Sequence, residues 1–183
     1  GGIVRLHNIL FKSNAKLFYT PNAYYGMGER KGYKTLIYNK IESILATQGK
    51  TINVSEGEAK FSQIKLKNNK SKIVIHNAVD IGKFKPDKKL KQEFRAKYNI
   101  TSKTKIIGTL GRLSYQKDPI TLYNAIKDIL RNYDDILFIH VGKGELDGDI
   151  RKFINKNNLS NKVIKIDYMN NPSAFYAGID CFI

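Results

Sequence analysis

The segment Gly111-Arg112-Leu113-Ser114-Tyr115-Gln116-Lys117-Asp118-Pro119 places two cations, Arg112 and Lys117, in one short loop. Before it runs Ile106-Ile107-Gly108-Thr109-Leu110, apolar and β-branched like a strand buried on both faces. After it Leu122, Ala125, Ile126, Ile129 and Leu130 recur at helical spacing, with Asp118 able to cap that helix and Pro119 suited to its first turn. A helix start offers free backbone N–H groups, and a guanidinium and an ammonium beside them make a site for phosphate. Spacing alone equally allows two solvated surface cations.

The elements that must carry this loop alternate along the chain. A helix is predicted over 3–11, a strand over 16–20, a helix over 33–48 with Ile37, Ile41, Ile44 and Leu45 on one face, and a strand at 51–54. Ser55 and Glu58 form a capping box opening the next helix, and Lys72-Ile73-Val74-Ile75 reads as a strand. A Pro- and Gly-punctuated stretch then marks a domain boundary, followed by a charged helix ending near Tyr98. Beyond it strands at 105–110, 136–141, 163–166 and 180–183 trade places with helices at 119–132, 147–157 and 172–177. Such alternation predicts an α/β fold built on parallel sheets, whose ligands sit outside the carboxyl ends of the strands. The 111–118 loop and Gly142-Lys143-Gly144 both fall at such ends, where they would line one crevice. There is neither a GxGxxG fingerprint nor a GxxxxGK[ST] loop, which disfavours a Rossmann-type oxidoreductase and P-loop chemistry.

The whole chain narrows the choice further. Its 183 residues suffice for one real core or two small ones, and 42% apolar composition fits a globular protein. No stretch is apolar enough to span a membrane. Cys181 stands alone among apolar neighbours and is expected in the core; His7, His76 and His140 have no metal spacing, and His140 reads as a packed strand residue. The formal charge is +16, with 20 basic and 7 acidic residues in 1–100 against 12 and 9 in 101–183. That field favours an anionic partner: nucleic acid, a membrane surface or a phosphorylated substrate. A lysine-rich coding bias gives the same count. No zinc spacing, RNP1 pattern or recognition helix supports nucleic acid.

Four stretches, in order, resemble the retaining glycosyltransferases of family 4, which have the two-domain GT-B fold. KLFYTPNAYYG is similar to that family's KxxYTPHG loop, NVSEGE to its VSxxE strand end, HNAVDIGKFKP to its interdomain PNGVDxxxFxP turn, and GRLSYQKDPITLYNAI to its GRLxxxKD segment. The resemblance implies two Rossmann-like parallel-sheet domains, both incomplete: residues 1–76 from the acceptor side, 77–89 as linker, and 90–183 as the first half of the donor-binding domain. It implies Arg112 and Lys117 as ligands of the donor diphosphate, Gly111, Gly142 and Gly144 as a turn near the nucleotide, and Asn22, where the family has histidine, facing the transferred sugar or acceptor. Ala78 replaces the usual glycine of the interdomain turn, which a type I geometry tolerates. The donor would be a UDP- or GDP-linked sugar, no metal or other cofactor being needed. The acceptor would be a glycan or a lipid-linked molecule, met in the cytoplasm or at the inner face of the cell membrane. Lys60, Lys65, Lys67, Lys70 and Lys72, near Tyr24, Tyr25 and Met27, would suit an anionic membrane surface, although local packing explains the aromatic loop as well. The family's carboxylate motif would begin beyond Ile183, so this stretch alone is expected to be inactive. A basic nucleic-acid- or membrane-binding module without catalysis remains the alternative.

Overall fold

The structure, a computed structural model, describes residues 1–27, 32–67, 69, 71 and 73–183. Lys70 and Lys72 of the basic cluster lie outside the described residues. The chain divides into two compact units, Gly1–Ala78 and Val79–Ile183, each with its own parallel sheet.

In the first unit α1 (Gly2–Phe11) and α2 (Tyr33–Leu45) accompany a sheet of β1 (Phe18–Tyr19), β2 (Lys50–Asn53) and β3 (Ile73–Val74), ordered β1-β2-β3. α3 (Glu56–Lys65) begins where predicted: the Ser55 hydroxyl accepts the Glu58 N–H at 3.2 Å. The return arm of the box differs by one residue, since the Glu58 carboxylate accepts the Val54 N–H at 2.9 Å. Arg5 is buried and donates to both carboxylate oxygens of Glu42, at 3.0 and 2.9 Å, while its guanidinium lies 3.7 Å from the centre of the Tyr19 ring. One cation thereby joins α1, α2 and β1. The expected apolar face of α2 is only partly used: Leu45 is buried and Glu42 is paired with Arg5, whereas Ile37, Ile41 and Ile44 stay exposed.

The second unit holds α4 (Lys88–Lys97), capped by Asp87, then β4 (Lys105–Leu110), a 3-10 turn at Tyr115–Lys117, α5 (Pro119–Asn132), β5 (Ile136–Val141), α6 (Asp147–Lys156), β6 (Val163–Ile166), α7 (Pro172–Gly178) and β7 (Cys181–Phe182). Its sheet runs β6-β5-β4-β7, all parallel. Side chains alternate across β5 as the pleat requires. Phe138 joins the layer with Tyr123, Ile126 and Leu130 of α5 and Ile150 of α6, whereas Ile139 and Val141 join the opposite layer with Phe94 and Phe175. Each fully buried Ile or Phe here contributes about 1.5–3 kcal/mol of hydrophobic stabilisation. Cys181 departs from the sequence expectation: β7 is the last strand of the order, and on that edge the thiol is exposed. Ala78 avoids the left-handed region, as a type I geometry allows.

Candidate functional site

At the carboxyl ends of β4 and β5 the two loops singled out by sequence pack against each other. Gly111 N–H donates to the Val141 carbonyl at 2.9 Å, and Leu146 N–H to the Leu113 carbonyl at 3.0 Å. This close approach is what the glycines permit. Gly142 has φ 141°, a left-handed value, and a Cβ there would strike the Gly111 carbonyl oxygen; a Cβ on Gly144 would strike the Leu113 carbonyl. Glu145 accepts the Tyr115 N–H at 3.3 Å, tying the 3-10 turn to the same junction. Gly111, Gly142 and Gly144 thus come together, with Arg112 and Lys117 on the loop that Gly111 opens.

The polypeptide between Arg112 and Lys117 is tightly folded. Ser114 N–H donates to the Arg112 carbonyl at 3.0 Å and Lys117 N–H to the Ser114 carbonyl at 2.9 Å. Asp118 sits in the left-handed region with φ 43° and its carboxylate accepts the Thr121 N–H at 3.4 Å, so the predicted cap is present. Leu113 is fully buried and anchors the loop, while Arg112 and Lys117 are exposed. Neither cation is engaged by a carboxylate among the described residues. An anchored loop with two uncompensated cations can neutralise an anion at its rim.

Behind the glycines lies a charged group that the sequence did not single out. Lys165, only 6% exposed, donates to the Gly142 carbonyl at 2.6 Å and lies 2.8 Å from the Asp147 carboxylate. Arg151 bridges Asp147 at 2.7 Å and Asp167 at 2.9 Å, and Lys143 reaches Asp167 at 3.6 Å. Burial alone would raise the Asp147 carboxyl, but the Lys165 and Arg151 contacts outweigh it and hold the group below the usual carboxylate range. Lys165 is consequently compensated, which distinguishes it from Arg112 and Lys117. The signal available in sequence was a lysine inside an apolar strand, Val163-Ile164-Lys165-Ile166, a position that calls for a partner.

His140 is packed in a strand, as expected, and also touches the site: its Nε2 lies 3.1 Å from the Gly111 carbonyl oxygen. Burial, the dominant influence, lowers its pKa and favours the neutral ring. A separate cavity of about 580 Å³ in this unit, lined among others by Phe84, Pro86, Tyr176 and Ile179, shares no residue with the loops.

Asn22 belongs to the first unit. It is exposed, with φ 51°, in the turn that follows β1, and Ala23 beside it has φ 106°. Tyr24 is buried: its hydroxyl donates to Asn53 Oδ1 at 3.2 Å, its ring stacks on Phe61, and burial pushes its pKa up to about 12. Tyr25, although exposed, rests on Tyr38 with ring centres 4.3 Å apart. Lys60, Lys65 and Lys67 are exposed. Among the described residues no group of His, Cys, Asp and Glu side chains has the arrangement of a metal site.

Known proteins resemble the chain in both sequence and fold. It is 32% identical, over 128 residues, to an uncharacterized glycosyltransferase of Methanocaldococcus jannaschii, a match spanning 69% of this chain and 30% of that protein. The structure of Anabaena HepE in complex with UDP-glucose superposes with a TM-score of 0.77 at 18% identity, covering 98% of this chain and 49% of that one. WaaG, a glycosyltransferase involved in lipopolysaccharide biosynthesis, gives 0.72 at 14% identity, with 98% and 55% covered. The chain therefore spans about half the length of these structures and 30% of the curated relative, and its α/β fold with two parallel sheets is that of GT-B glycosyltransferases. The family model described as glycosyl transferases group 1 matches residues 90–183, the span that carries the two glycine loops with Arg112 and Lys117, and the chain belongs to that family.

Proposed function

We propose that residues 1–183 form part of a retaining glycosyltransferase of family 4 that transfers a hexosyl or N-acetylhexosaminyl group from a UDP- or GDP-linked sugar to a glycan or lipid-linked acceptor. The observation that carries this reading is the loop at the end of β4, where Arg112 and Lys117 have no carboxylate partner among the described residues and the glycines bring the β5 loop against it. In such a transfer the bond between the anomeric carbon and the β-phosphate oxygen breaks, and its electron pair leaves on the diphosphate. Fixed cations stabilise that charge more in the transition state than in the ground state. With two cations in this role, no metal ion is required. Residues 90–183 then bind the donor and residues 1–76 serve the acceptor side, joined through 77–89, with Asn22 facing the sugar or the acceptor. The HepE complex, which holds UDP-glucose, supports a nucleotide-sugar donor, and WaaG, a glycosyltransferase involved in lipopolysaccharide biosynthesis, supports a lipid-linked acceptor. Family membership favours this reading over a binding module without catalysis and over an oxidoreductase.

The test is calorimetric titration of UDP and GDP onto the chain, in EDTA to exclude metal. Arg112→Ala and Lys117→Ala should each lower affinity by about 1.5–3 kcal/mol, roughly ten- to a hundredfold, as expected for the loss of a charge-assisted hydrogen bond. Unchanged affinity in both variants would remove the diphosphate assignment.

A further inference from the structure

The peptide joining Gly111 to Arg112 is held by β5 through its carbonyl. Gly111 N–H is fixed by the Val141 carbonyl, and the Gly111 carbonyl receives His140 Nε2 at 3.1 Å. A carbonyl oxygen only accepts, so Nε2 carries the hydrogen and Nδ1 is the bare nitrogen. That Nδ1 is buried and has no hydrogen-bond partner among the described residues, which leaves the Gly111 carbonyl as the imidazole's one polar anchor there. The ring is held in place by apolar neighbours: it lies near-parallel to Tyr123 of α5, centres 5.8 Å apart, and edge-on to Phe138 at 6.3 Å. Lys165 and Asp147 are the charged groups that act on it, and they are paired with each other.

The two halves of a trans peptide point in opposite directions. Turning the Gly111 carbonyl toward His140 therefore turns the Arg112 N–H away from β5. Among the described residues, no backbone acceptor meets that N–H.

We propose that His140 is a positioning residue for the anion site: by donating to the Gly111 carbonyl it presents the Arg112 backbone N–H, beside the Arg112 guanidinium, to a phosphate oxygen of the bound nucleoside diphosphate. This rests on the donor-diphosphate reading given above. An imidazolium would donate from Nε2 equally well, so the role requires no titration.

The experiment titrates inorganic pyrophosphate, UDP and uridine onto the 183-residue chain and its variants, with a thermal melt of each. His140→Leu removes the donor at similar volume. His140→Gln returns an amide N–H close to the position of Nε2, whereas His140→Asn holds its amide too short to reach. His140→Leu and His140→Asn should weaken pyrophosphate and UDP about tenfold, the loss of one hydrogen bond to a charged group, and leave uridine unchanged. His140→Gln should stay within about threefold of the unchanged chain. Equal losses in the Gln and Asn variants, a loss shared by uridine, or affinity that follows melting temperature would assign His140 to packing alone. The arms separate the two readings: if Arg112→Ala weakens pyrophosphate and His140→Leu and His140→Asn do not, only the positioning role falls. If Arg112→Ala and Lys117→Ala have no effect, or pyrophosphate and UDP do not bind the unchanged chain, the diphosphate reading falls and the positioning role with it.

Discussion

Asp180, just before β7, concentrates several contacts on one carboxylate, and its conversion to asparagine should be among the costliest conservative changes in the second unit. Its Oδ2 accepts Arg95 Nη2 at 2.7 Å and the Ile106 N–H at 2.9 Å, and its Oδ1 accepts Lys91 Nζ at 3.0 Å. Arg95 is itself committed, donating to the carbonyls of Thr101 at 2.8 Å and Thr104 at 3.0 Å. α4 is thereby stitched to β4 and β7. Asparagine preserves the shape but removes the charge and sets an NH₂ group against donors. The two bonds to Oδ2 are charge-assisted, worth about 1.5–3 kcal/mol each. Lys91 adds less than about 1 kcal/mol, because its side chain is 42% exposed. Arg95 is 10% and Asp180 25% exposed at the side chain, so water recovers part of the loss and the net cost should be about 2–3 kcal/mol. For a unit of about 100 residues that lowers the melting temperature by about 10–20 °C.

Urea unfolding and calorimetry of Asp180→Asn, Arg95→Met and the double variant measure this directly. The two substitutions should couple by about 1 kcal/mol or more, since each removes the same interaction. Burial pushes the Asp180 carboxyl up, but the Ile106 N–H, Lys91 and Arg95 outweigh it and hold the group below its usual value. Its stabilisation is hence present above the unfolded pKa near 4 and is lost as pH falls through the lower folded value. The variant should lack this part of the acid limb. A change below about 0.5 kcal/mol, or strict additivity of the two substitutions, would refute the reasoning.

Gly142→Ala should lower stability by about 1–3 kcal/mol from its left-handed φ alone, and more if the Gly111 carbonyl cannot retreat; urea unfolding and UDP titration on the same sample should fall together. For His140, burial lowers the folded pKa below 6.5, so between that value and pH 6.5 the unfolded chain binds more protons and stability rises with pH. The slope is at most about 1.4 kcal/mol per pH unit. It should be present in urea unfolding of the unchanged chain as pH is lowered below 6.5, and His140→Leu should remove it.

The second unit was the more legible in the sequence. Strands at 105–110, 136–141 and 163–166 and the helix at 119–132 have the predicted bounds, because strands buried on both faces and a capped amphipathic helix declare themselves locally. In the first unit, β1 and β3 shrink to two residues each, since pairing depends on neighbours distant in sequence. The 3-10 turn at Tyr115–Lys117 went unanticipated, being set by the Glu145 contact and the β5 loop behind it. The glycine pair was legible as a turn, whereas the carbonyls that require it were not. His140 and Lys165 were visible as polar residues in apolar strands, yet their acceptors lie 29 and 23 residues away. Cys181 misled because apolar neighbours in sequence do not reveal which strand ends a sheet.

The two hydrophobic layers meeting on β5 have a kinetic consequence. Phe138 faces one layer and Ile139 and Val141 the other, and β5 is hydrogen-bonded on both sides, to β4 and to β6. Releasing its amides to solvent requires both layers to come apart, so β4 and β5 should exchange their amide hydrogens last, at rates near those of global opening. Gly111 and Gly142 follow directly on these two strands. The loop rim can therefore fluctuate only within limits set by the most slowly exchanging part of the unit, and a bound anion should retard the exchange of Arg112 and its neighbours while leaving that of β4 and β5 tied to the global reaction.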